Sequence, residues 1–77
     1  MKISEKIIEI LSKELEIESD SIDKSDPYSS LENMDSMTQV SITNIIEQEF
    51  EIEFDFDDLF DIEIVEDLIQ IVNDKLN

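Results

Sequence analysis

The sequence predicts an all-α fold, a small four-helix bundle with three longer helices, a short third helix and a long loop between helices one and two. Two observations carry this prediction. Apolar residues recur at helical spacing in three separate stretches, as expected for helices that share a core. Only one short stretch alternates between apolar and acidic residues like a strand, and no second stretch is available to pair with it. The length of 77 residues suits one domain over residues 1–77.

The first element is an amphipathic helix over residues 4–16, followed by a loop over residues 17–35. The apolar residues on the inner face of this helix are Ile3, Ile7, Ile10, Leu11 and Leu15. Serine and acidic residues are in excess in the loop, and Pro27 lies within it. Loops of this length in compact domains are usually functional or pinned to the core. The apolar residues expected to pin it are Ile22, Tyr28 and Leu31.

The second helix is predicted over residues 36–51, where neither proline nor glycine interrupts the pattern. Ile42, Ile46 and Phe50 stack at i, i+4 and i+8 and form its inner face. The outer face includes Met37, Val40, Ser41, Asn44, Glu47 and Gln48. Two apolar residues near the start of this face favour a small contact surface over scattered exposed side chains.

The rest of the chain contains a connector and two further helices. Residues 52–56 are expected to be extended, residues 57–60 form a short helix with acidic residues in its first turn, and the last helix covers residues 65–75. The apolar face of that last helix consists of Val65, Leu68, Ile69, Val72 and Leu76.

The charge of the chain is strongly negative and unevenly distributed. Twenty-two acidic residues face five lysines, which gives a net charge of −17. Residues 25–77 hold fifteen of the acids and one lysine. Such a field favours basic protein partners and argues against nucleic acid. The alternative interpretation is that the acidic residues only keep the chain soluble.

Ser36 is the candidate functional residue. The triplet Asp35-Ser36-Met37 lies where the polar loop gives way to the second helix, and Asp35 is a suitable N-cap. The Ser36 hydroxyl is then free, and a phosphate group on it would lie at the positive end of the helix. A similar triplet surrounds Ser21, but Pro27 follows it and stops any helix there. A serine at a helix start is most often a simple first-turn residue.

Several other functions lack the residues they need. The chain contains neither histidine nor cysteine, so a Ser-His-Asp or Cys-His arrangement cannot be built, and we expect no enzymatic activity. Residues 55–61 resemble a calcium loop only superficially, since Leu59 stands where an oxygen ligand should be, so no metal site is expected. The apolar runs are too short to span a membrane, and the first residues lack the pattern of a signal peptide, so the cytoplasm is the expected location.

The chain resembles acyl carrier proteins over nearly its whole length. Tyr28 corresponds to an aromatic residue of the family's loop, and Asp35-Ser36-Met37 resembles its Asp-Ser-Leu triplet. Val40 and Ile42 match apolar positions of its second helix. Residues 46–54 resemble its acidic stretch that ends in phenylalanine, and residues 62–68 resemble its entry into the last helix.

The resemblance implies a carrier domain with a covalent 4'-phosphopantetheine arm on Ser36, and a role for Asp35 in recognition by the phosphopantetheinyl transferase. The thiol of the arm would hold acyl groups as thioesters for fatty acid, polyketide or related biosynthesis. The expected partners are the transferase and acyl- or aminoacyl-loading ligases or synthases with basic surfaces, which would contact a monomer. The surface that they read would be Met37, Val40, Ser41, Asn44, Glu47 and Gln48. An aminoacyl or D-alanyl carrier, and an acidic adaptor that has lost the arm, are the alternatives.

The chain departs from the family pattern just before the triplet. Asn33 stands where the family usually has glycine, and Glu32 where it usually has an apolar residue. Asparagine tolerates a positive φ better than most residues, so the turn can be kept. Ser41 and Gln48 are further departures, at positions on the second helix. These departures indicate a specialised carrier.

Overall fold

The structure, a computed structural model, describes residues 2–77. Its helices are α1 (Ile3–Leu15), α2 (Ser36–Phe50), α3 (Phe56–Phe60) and α4 (Val65–Leu76). No strand occurs within the described residues, and the predicted all-α bundle is confirmed. None of these helices is long and apolar enough to cross a membrane.

The core lies where the apolar faces of α1, α2 and α4 meet. The largest fully buried side chains are Ile7, Leu11, Leu15, Ile42, Ile46, Leu68, Val65 and Val72. Their spacing within each helix is the one that the sequence pattern indicates. Leu76 was also expected on the core face, but 43% of its surface is exposed. It is the last residue of α4, so no following turn covers it.

The loop between α1 and α2 is more ordered than the sequence pattern indicates. It contains two single turns of 3₁₀ helix, Ser19–Ser21 and Tyr28–Ser30. The three residues expected to pin the loop are all buried, namely Ile22, Tyr28 and Leu31. The loop therefore has a defined path over the core.

The second half of this loop runs alongside the entry into α4. The Tyr28 N–H donates to the Glu63 carbonyl at 2.9 Å, and the Val65 N–H donates to the Asp26 carbonyl at 3.0 Å. One antiparallel bridge lies between these two bonds. These two backbone bonds fix Tyr28 against the entry into α4.

α3 is held at its first turn by charged side chains. Asp58 accepts a hydrogen bond from the Asp55 N–H at 2.8 Å and pairs with Lys75 of α4 at 2.8 Å. The hydrogen bond from Lys75 lowers the pKa of Asp58, and the same bond raises the pKa of Lys75. Phe56 and Phe60 of α3 have ring centroids 5.3 Å apart, and both side chains are largely exposed.

Candidate functional site

Asp35 and Ser36 form the start of α2. Asp35 has extended backbone angles and accepts a hydrogen bond from the Thr38 N–H on Oδ1 at 2.7 Å. This bond lowers the pKa of the Asp35 carboxyl. Ser36 is the first residue of the helix and is exposed. Because Asp35 supplies the cap, the Ser36 hydroxyl is not needed for it.

The turn that leads into α2 depends on Asn33. Its φ of 68° lies in the left-handed region, so asparagine does adopt the backbone conformation that glycine favours. The Met34 N–H donates to the Leu31 carbonyl at 3.0 Å and closes the turn. The Asn33 amide also donates from Nδ2 to the Leu15 carbonyl at 2.7 Å. This second bond joins the turn to the end of α1, and the sequence pattern did not indicate it.

A groove of about 590 Å³ opens beside Ser36, between α2 and α3. It is lined by Tyr28, Ser29, Ser36, Gln39, Val40, Thr43, Asn44, Leu59, Phe60 and Ile62. Burial raises the pKa of Tyr28 to about 12. The groove thus combines apolar side chains with uncharged polar groups.

The outer-face residues of α2 are divided between the groove and the open surface. Val40 and Asn44 border the groove together with Ser36. Met37 is 81% exposed, and Ser41 and Gln48 are also exposed, but these three are not among the residues that line the groove.

Glu47 differs from the other residues of that face. Its Oε2 accepts a hydrogen bond from the Phe54 N–H at 2.8 Å, and the side chain is half-buried. The helical periodicity of α2 placed Glu47 on the outer face. It could not indicate this bond, because Phe54 lies beyond the end of the helix. Glu47 therefore holds the connector between α2 and α3.

Sequence reasoning missed the far wall of the groove. Leu59, Phe60 and Ile62 come from α3 and the segment after it, and Ser29 comes from the loop. The available signal was the presence of apolar residues within a very acidic short helix. That signal could not identify their partner, because the position of α3 against α2 depends on tertiary contacts.

The similar triplet around Ser21 has a different structure. The Ser21 hydroxyl donates to the Glu18 carbonyl at 2.7 Å within a three-residue 3₁₀ turn. No long helix begins there, so the distinction drawn from Pro27 is confirmed. Among residues 2–77, no group of three or more acidic side chains is placed to hold a metal ion.

The family described as "Phosphopantetheine attachment site" matches residues 5–72. The chain belongs to this family. The matched range includes the loop, the start of α2 and both walls of the groove, and it is consistent with an acyl carrier protein. A comparison with curated proteins gives no match. The cofactor of the phosphopantetheine attachment family is covalent 4'-phosphopantetheine.

The residues at the start of α2 fit such a group. A phosphodiester needs an exposed hydroxyl and favours hydrogen-bond donors, and the first N–H groups of a helix are such donors. Ser36 is exposed at the start of a 15-residue helix. The groove beside it leaves room for an arm or its cargo next to apolar side chains.

Proposed function

We propose that this chain is a single-domain carrier protein and that the Ser36 hydroxyl is the attachment point of its 4'-phosphopantetheine arm. One observation carries the proposal. Ser36 is an exposed hydroxyl at the first position of the longest helix, it borders the groove, and Asp35 fills the cap. Neither Ser21 nor Ser29 begins a helix of this length.

Attachment requires a separate enzyme. The Ser36 oxygen attacks the β-phosphorus of coenzyme A, a new P–O bond forms, and the pyrophosphate bond breaks to release adenosine bisphosphate. The hydroxyl proton passes to a base of the transferase, because the chain has no histidine and the bond from Thr38 lowers the pKa of Asp35, which makes this carboxylate a weak base. The start of α2 stabilises the charge of the resulting phosphodiester.

The loaded arm holds acyl intermediates as thioesters for partner enzymes of fatty acid, polyketide or related biosynthesis in the cytoplasm. The chain itself catalyses no step. The proposed recognition surface consists of Met37, Val40, Ser41, Asn44, Glu47 and Gln48. The excess of acidic residues over residues 25–77 speeds encounters with basic enzyme surfaces.

The test is intact mass after incubation with coenzyme A, Mg²⁺ and a promiscuous phosphopantetheinyl transferase. We expect a gain of one arm, abolished by Ser36→Ala. Ser29→Ala removes a hydroxyl from the same groove, and Ser21→Ala removes the one in the similar triplet; both should load as the wild type does. A wild-type chain that gains no mass with a transferase active on another carrier would favour the adaptor without an arm.

A further inference from the structure

Asn33 makes a contact that connects two distant parts of the chain. Leu15 is the last residue of α1, and its carbonyl is among those that a helix leaves without an intrahelical partner. The Asn33 amide donates to that carbonyl at 2.7 Å across a separation of 18 residues. The loop before Ser36 is therefore tied to the end of a core helix.

The position of this bond matters because so little chain separates it from Ser36. Asn33 is the residue of positive φ in the turn that the Met34 N–H closes. The next residue, Met34, packs against the core, and Asp35 then caps α2. The path into Ser36 is thus held by the Asn33 bond on one side and the Asp35 cap on the other.

Asparagine is well suited to this position on two separate grounds. Glycine would also allow the positive φ, but it has no donor and leaves the loop more conformational freedom. Aspartate tolerates the same φ, but an ionised carboxylate has no proton to donate and would face the Leu15 carbonyl. The two substitutions at this position therefore remove the donor without forbidding the turn.

We propose that Asn33 is a positioning residue for modification of Ser36, an inference that rests on the proposed function. The Asn33 amide holds the segment from Leu31 to Asp35 against α1, so that the Ser36 hydroxyl is presented to the transferase in one conformation. Without the donor, the loop samples other paths and only part of the molecules is competent to bind. The apparent affinity of the transferase for the chain is then its intrinsic affinity multiplied by the competent fraction, whereas the bound complex reacts as before.

We expect loss of the Asn33 donor to change the KM of the transferase but not its kcat. For Asn33→Gly and Asn33→Asp, the KM of the transferase for this chain rises, by at most about fivefold for the loss of one net hydrogen bond, and kcat is unchanged. A purely structural role would lower the melting temperature and leave KM alone at temperatures far below melting. Asn73→Asp on α4 adds the same charge as Asn33→Asp away from the loop, and should leave KM at the wild-type value.

A second measurement on the unmodified chain does not depend on loading. Hydrogen–deuterium exchange of the Met34 and Thr38 amides, which close the turn and the cap, should be faster in both Asn33 variants. The Ile46 amide, in the second half of α2, should exchange at the wild-type rate. Unchanged KM, or unchanged exchange at both amides, overturns the positioning role. A wild-type chain that takes no arm overturns the proposed function instead, and exchange then decides alone whether Asn33 fixes the loop.

Discussion

Asp35 and Ser36 are adjacent in the sequence but have different roles at the start of α2. The Asp35 carboxylate accepts the Thr38 N–H, which is one of the four N–H groups that a helix start leaves unpaired. Ser36 is the first residue inside the helix and borders the groove. Because the neighbouring carboxylate satisfies the cap, the serine can be substituted or modified without loss of the bond that begins the helix.

The cap makes stability depend on pH through Asp35. The Thr38 N–H lowers the pKa of this carboxyl in the folded chain, so its contribution is present above the unfolded pKa and is lost as the pH falls through the folded pKa. Asparagine caps helices about as well and does not titrate. We expect Asp35→Asn and the wild type to have the same free energy of unfolding, measured with urea, at pH 7. Below about pH 4, the free energy of unfolding of the wild type should fall relative to that of Asp35→Asn.

Asp35→Ala is the matched variant that lacks any cap. Its urea midpoint should lie below that of Asp35→Asn at neutral pH, since alanine leaves the Thr38 N–H without its partner. If the midpoints of the wild type and Asp35→Asn run parallel from neutral to acid pH, the carboxylate is not the source of the dependence.

Individual residues differ in how far the sequence determines them. The cap by Asp35 follows from local chemistry and could be predicted, whereas the positive φ of Asn33 was expected only because the resembling family usually has glycine at that position. The bond from Asn33 to Leu15 could not be predicted, because sequence spacing relates positions within one helix and not a loop residue to the end of another helix. The partner of Glu47 was missed for the same reason, since Phe54 lies beyond the helix that the periodicity describes.

At the scale of elements, α3 depends on contacts from both neighbouring helices. Glu47 of α2 accepts the Phe54 N–H in the connector, and Lys75 of α4 pairs with Asp58 in the first turn. A five-residue helix is too short to be stable alone, so such contacts decide where it lies. They place Leu59 and Phe60 along one wall of the groove.

The helices themselves were largely predictable, and the groove was not. Periodic apolar residues give the inner faces of α1, α2 and α4 because each face is encoded within one stretch. The groove needs two elements at a set distance, and α3 carries too few residues for a periodic signal. Its wall could be recognised only once the contacts of Glu47 and Lys75 were known.

Glu47 offers a test of how the connector is held. Glu47→Lys removes the acceptor of the Phe54 N–H, and its free energy of unfolding should lie about 1 kcal/mol below that of Glu53→Lys. Glu47→Gln keeps an oxygen acceptor and should stay close to the wild type. Glu53→Lys makes the same change of charge on the exposed connector and is the control. Urea unfolding measures all three.

Loading by the transferase separates the two roles of this carboxylate. If Glu47 also belongs to the recognition surface, Glu47→Gln should load more slowly at low salt while its stability is unchanged. Equal stabilities of Glu47→Lys and Glu53→Lys would mean that the bond to Phe54 contributes nothing measurable. Loading of Glu47→Gln at the wild-type rate would assign Glu47 to the connector alone.

At the scale of the whole molecule, repulsion between like charges opposes folding in addition to the conformational entropy of the chain. A net charge of −17 is confined to a body of 28 × 26 × 21 Å. Three of the five lysines pair with acids of the described chain, Lys6 with Glu49, Lys13 with Glu9, and Lys75 with Asp58. The pair of Lys13 and Glu9 is exposed, and exposed pairs stabilise a domain little. Most acidic residues therefore repel one another through solvent, and the unfolded chain relieves that repulsion.

This repulsion predicts a strong dependence of the melting temperature on salt. The screening length is about 30 Å at 0.01 M salt, longer than the molecule, and about 3 Å at 1 M, shorter than most charge separations. We expect the melting temperature to rise by about 5 °C or more over this range, since about 1 kcal/mol moves a domain of this size by that amount. Magnesium chloride should have the same effect at lower concentration.

Glu14→Gln, which removes an exposed charge from the last turn of α1, should raise the melting temperature at low salt only. A melting temperature that is the same at both salt concentrations would mean that repulsion between the acidic residues makes no measurable contribution to stability.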